Sequence, residues 1–120
     1  VKIVQLPRKI EVGTVEYPIR IVAATDKLLD EANGIAYFGE EDGVPRQILI
    51  AARLGPKQTL EIVLHEIIHV INHVNEIEDG EDEEIVTTKH GAAWAQFWID
   101  NPKMLLWVNY VVARIVRERQ

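Results

Sequence analysis

The sequence predicts an α+β domain: a small antiparallel or mixed β-sheet followed by three helices. The chain up to about residue 51 is made of short runs rich in Val, Ile and Tyr, separated by turns containing Gly or Pro. From Pro56 onward, apolar residues recur at helical spacing, in segments divided by an acidic loop and by Asp100-Asn101-Pro102. No internal repeat, low-complexity tract or linker rich in Gly, Pro or Ser divides the 120 residues, so one domain spanning 1–120 is expected.

Ile10-Glu11-Val12 and Val15-Glu16-Tyr17 flank Gly13-Thr14, and Ile19-Arg20-Ile21-Val22 continues the second run, which predicts a β-hairpin. Residues 26–32 suit a short helix or turn capped by Thr25 or Asp26, broken by Asn33-Gly34. Residues 35–38 and 47–51 read as two further strands around a turn at 40–45. Gly55-Pro56 then opens a helix to about Val74, with Pro at the first turn, where its missing N–H costs nothing. Apolar residues run nearly all the way round it, which predicts a central, buried helix. The acidic segment 75–84 reads as a solvated loop whose last carboxylates favour the start of the next helix. That helix is expected from Glu83 to about Ile99, with Val86, His90, Ala93 and Phe97 along one face. A third is expected from Lys103 to Arg117, apolar enough to cover the core or to form a homodimer contact. Met104, Trp107 and Tyr110 read there as packing residues.

Composition narrows the chemistry. The formal net charge of −6 and pI of about 5.2 argue against nucleic acid or an anionic membrane as the main partner. Cys and Ser are both absent, which removes disulfides, thiolate metal sites and Ser or Cys nucleophiles, and leaves activated water as the economical nucleophile. No basic-then-apolar segment opens the chain, and the uncharged run 104–113 is too short to span a bilayer. A soluble, cytoplasmic protein is the expectation.

The stretch that interrupts this pattern is His65-Glu66-Ile67-Ile68-His69, inside the long apolar run of the first helix. Such a five-residue pattern arises by chance, and helical histidines are often satisfied core residues. Yet His and Glu are poorly suited to an apolar helix unless something satisfies them, and one metal ion would account for all three. Residues four apart on a helix share a face, so His65 and His69 can reach one ion. Glu66 projects about 100° around the helix, beside that ion, where it can act as general base. The spacing is that of a zincin site, with Zn²⁺ as cofactor. A catalytic zinc normally takes a third protein ligand, for which Glu83, Glu84, His90 and, weakly, His73 are available. His73 lies one further turn along, too far to share an ion with His65, and reads as a supporting or surface residue.

The segment Leu64-His65-Glu66-Ile67-Ile68-His69, the acidic stretch after it, Glu84, and the helix ending Ala95-Gln96-Phe97-Trp98-Ile99-Asp100-Asn101-Pro102 resemble the minimal gluzincins. These are small HExxH metallopeptidase-like proteins, many encoded by phages and archaea. Residues 8–13, Gly39-Glu40 and 47–50 are similar to that family's sheet; the likeness extends to Pro102 and leaves out the last helix. The resemblance implies a third zinc ligand from a Glu on the following helix. Counting back from Asp100-Asn101-Pro102 gives Glu84; counting forward from the Glu-Glu-Ile-Val stretch permits Glu83. His90-Gly91-Ala92-Ala93-Trp94 is also similar to a segment of SprT-type proteases, whose third ligand is that His. The upstream strands suit that family less well, which ranks Glu84 first, His90 second and Glu83 third.

The implied activity is zinc-dependent hydrolysis of a peptide or protein substrate, with Glu66 as base and His90 or Tyr110 near the oxyanion. Strand 47–51 is expected to offer an edge for an extended peptide. Two other readings remain: a non-catalytic, zinc-stabilised module that binds a protein partner, and HExxH chemistry on a non-peptide bond.

Overall fold

A computed structural model describes residues 3–41 and 43–119. It is an α+β fold, with a four-stranded mixed sheet followed by three helices. Strands β1 (Lys9–Val12) and β2 (Val15–Val22) form the predicted hairpin around Gly13, whose φ of 64° a residue with a Cβ adopts less readily. After a single 3₁₀ turn (Lys27–Leu29) come β3 (Gly34–Tyr37) and β4 (Gln47–Ala51). Asp42, within the turn predicted at 40–45, lies outside the described residues.

The sheet order is β1-β2-β4-β3, with β4 parallel to β2 and antiparallel to β3. This corrects the expectation that strand 47–51 offers an edge. The chain places β3 outermost and slots β4 between β2 and β3, so all five residues of β4 are buried. Ile48 and Ile50 face the helices, whereas Leu49 and Ala51 pack on Val22 and Leu29 across the other face. A strand covered on both faces reads as an unbroken apolar run, not an alternating one.

Helix α1 (Pro56–Val74) lies on the sheet through Val63, Glu66, Ile67, Val70 and Ile71. Its opposite strip, His65, Ile68 and His69, is exposed, which corrects the expectation of a helix buried all round. The sheet covers one side of α1 and α3 (Pro102–Glu118) packs beside it, while the outward strip keeps its apolar Ile68 at 40% exposure. Helix α2 (Glu83–Asp100) packs on β1 and α3. Of the face predicted for it, Phe97 is buried and Ala93 joins the core, but Val86 and His90 are only half-buried. Helix α3 buries Met104, Trp107 and Val111 and leaves Leu105, Leu106, Val112 and Val116 exposed. Among the described residues no helix is long and apolar enough to cross a membrane.

Asn101 joins the two layers. Its Oδ1 accepts from the Glu11 N–H at 2.8 Å, and its Nδ2 donates to the Glu11 carbonyl at 2.7 Å and the Phe97 carbonyl at 2.9 Å. One amide side chain thus binds the end of α2 and pairs with the outer backbone of β1 as a neighbouring strand would, at the residue where α2 gives way to α3.

Candidate functional site

Residues 65–69 occupy the middle of α1, where helical geometry stacks His65 and His69 on the outward strip. Their Nε2 atoms converge to 3.1 Å, with ring centroids 4.7 Å apart and planes at 77°. In a tetrahedral zinc site with Zn–N of about 2.0–2.1 Å, two ligand nitrogens stand roughly 3.3 Å apart. The two imidazoles therefore fit two corners of such a site. Their exposure leaves them open to solvent and to an incoming donor.

Glu66 stands about 100° around the helix from His65, toward β3, and is buried at 5% exposure. It lies against Gly34, where an added Cβ would stand 3.3 Å from Glu66 Oε2. Burial raises the pKa of its carboxyl above the ordinary value, with His65 and His69 pulling it the other way. A carboxylate raised in this manner holds a proton more readily than a solvated one, which suits a group that must accept and return one.

The structure brings His65, Glu66 and His69 together on one segment but does not gather the third-ligand candidates with them. Among the described residues no three His, Asp or Glu side chains converge in a metal-binding arrangement. Glu83 and Glu84 are exposed on the first turn of α2, where the Asp82 side chain caps the helix by accepting the Glu84 N–H at 2.9 Å. His90 is half-buried two turns further along. His73 stacks on Phe38 with ring centroids 4.1 Å apart, and its Nε2 stands 3.3 Å from Glu40 Oε1. It ties the end of α1 to the turn after β3.

Two features escaped the sequence reading. Gly34 appeared there only as a breaker after Asn33, yet it lets α1 and Glu66 approach the edge strand. The free margin of the sheet is β3 itself. The Ala51 N–H donates to the Asn33 carbonyl at 2.8 Å, and in an antiparallel ladder bonded and non-bonded residues alternate. Ile35 and Tyr37 therefore turn their backbone groups toward β4, and Gly34, which lies against Glu66, and Ala36 turn theirs outward. A groove lined by residues 4–11 and 100–104 lies between the N-terminal segment and the α2–α3 junction, and shares no residue with the histidine pair.

Searches against protein-family models, curated proteins and solved structures find no match to this chain.

Proposed function

We propose that this protein is a zinc-dependent peptidase of the gluzincin type, with His65, His69 and Glu84 as metal ligands and Glu66 as general base. The observation that carries this reading is the convergence of His65 and His69 Nε2 at 3.1 Å, with the buried, pKa-raised Glu66 on the adjoining face. Zinc held there would supply Lewis-acid polarisation of a peptide carbonyl and acidification of water. The remaining work belongs to the chain. The outward N–H and C=O groups of Gly34 and Ala36 pair with an extended peptide and fix its register beside the helix. The Glu66 carboxylate accepts the proton of the attacking water and delivers it to the departing amine nitrogen. Burial of Glu66 against Gly34 keeps it from swinging into solvent between these events.

The experiment is metal analysis of the purified chain, followed by cleavage of a broad peptide library by the parent and by Glu66→Gln. About one zinc per chain, and cleavage by the parent alone, is the expected result. A chain that neither contains nor takes up a transition metal overturns the reading.

A second reading rests on the separation of Glu83, Glu84 and His90 from the histidine pair. In it the chain is a zinc-stabilised module that binds a protein partner, and the parent cleaves nothing in the library while still holding metal.

A further inference from the structure

The two halves of α2 are secured differently. Beyond Gly91, Ala93, Trp94, Phe97 and Trp98 pack on the core, Trp94 and Phe97 with ring centroids 5.5 Å apart, and Asn101 fastens the end to β1. Before Gly91, Glu83, Glu84, Thr87 and Thr88 are exposed and Ile85 is 50% exposed. The side-chain ties of this half run to the acidic loop: Lys89 Nζ donates to the Glu76 carbonyl at 3.2 Å and to Glu81 Oε1 at 3.1 Å.

Gly91 itself has no packing reason to be Gly. A Cβ built on it would meet nothing within 4 Å, and its φ is not positive. Gly inside a helix weakens it relative to Ala by leaving the backbone more freedom. All three third-ligand candidates on this helix, Glu83, Glu84 and His90, lie on the unsecured side of Gly91. The outward strip of α1, with its histidine pair and exposed Ile68, is likewise uncovered among the described residues.

We propose that residues 83–90 form an arm, hinged at Gly91, that docks on the outward strip of α1, brings Glu84 to His65 and His69, and thereby assembles the metal site. The inference rests on the zinc reading above and adds that the site is built by a conformational change. The loop that joins the two helices is long enough not to bar this movement. The loop 75–82 can extend up to roughly 26–29 Å, while His69 stands only about 7.5 Å back along α1 from Val74. Docking buries Ile85 and Ile68 together, which supplies an apolar reason for the closed arrangement to persist once the ligands meet.

The test is backbone hydrogen exchange on the whole chain, metal-free and then titrated with Zn²⁺, in the parent and in Gly91→Ala and Glu84→Ala. Zinc is expected to slow exchange across 83–90 by about tenfold or more while leaving 92–100 little changed. Glu84→Ala is expected to abolish that slowing. Gly91→Ala is expected to raise the Tm of the metal-free chain and to weaken zinc binding about tenfold, because a stiffened helix populates the docked form less. Zinc bound at one per chain with unchanged exchange in 83–90, and equal affinity in Gly91→Ala, overturns the arm while leaving the metal site standing. Absence of zinc binding in the parent overturns both.

Discussion

Glu66 rests against the backbone of Gly34: a Cβ at residue 34 would stand 3.3 Å from Glu66 Oε2 and 3.4 Å from its Cγ, and would overlap Ile62 Cγ2. Helix and edge strand are thus packed at backbone distance at the point where the base sits. Gly34→Ala must displace Ile62 or the helix, and is expected to destabilise the chain by about 1–3 kcal/mol. Urea unfolding of the variant measures this directly. A loss well under 1 kcal/mol would mean that the contact yields easily.

Glu66 carries a stability cost that depends on pH. Burial raises its pKa above 4.5, so the folded chain holds this proton more tightly than the unfolded chain does. The stabilisation linked to that proton is complete below about 4.5 and is lost as pH rises through the higher folded value. Gln cannot ionise. Metal-free Glu66→Gln is therefore expected to be more stable than the parent near neutral pH, with the advantage shrinking as pH falls through the raised folded value and gone below about 4.5. Thermal melts of both proteins from pH 4 to 8 read out the difference, and a constant gap across that range would contradict it.

Removal of zinc by a chelator is expected to lower the Tm, because a ligand bound only by the folded chain adds stability in proportion to its occupancy. At free zinc about 100-fold above its Kd this amounts to about 2.7 kcal/mol. Scanning calorimetry with and without chelator is the measurement, and an unchanged Tm would remove zinc as a folding partner.

The third ligand separates by substitution. If Glu84 completes the site, Glu84→Ala weakens zinc binding by far more than His90→Ala, whose loss stays within about 10–100-fold, as for a supporting residue. Larger loss at His90, or at Glu83, would transfer the ligand to that position. Competition with a coloured chelator ranks the three variants.

Asn101→Ala is expected to cost about 2–4 kcal/mol, since it removes three hydrogen bonds and leaves the backbone groups of Glu11 without their partner. Chemical denaturation measures the loss. A loss well under 1 kcal/mol would mean that water takes over the three bonds.

What the sequence disclosed follows from what local pattern encodes. Helical spacing located α1, α2 and α3 to within a residue or two, and the β1–β2 hairpin was legible from Gly13 between alternating runs. The motif residues were legible because three polar side chains break an apolar helix. The position of β4 was not. Ile48-Leu49-Ile50 signals burial on both faces, but which strands flank it is settled by long-range pairing that no short window records. The roles of Gly34 and Asn101 were hidden for the same reason. One depends on how near Ile62 and Glu66 come, the other on a backbone 90 residues away. The apolar girth of α1 misled because burial was inferred from composition, whereas Ile68 stays half-open for want of a neighbour.

The Asn101 clasp also bears on self-association at high concentration. Strand addition needs a row of unpaired backbone groups, and β1 has Glu11 already engaged and a lysine at position 9. Among the described residues, that leaves the β3 margin as the one open to another strand. Two copies joining there would use up the open margin of each, and nothing would remain for a third. Sheet-to-sheet growth of the folded protein thus terminates at a pair instead of propagating into a fibre.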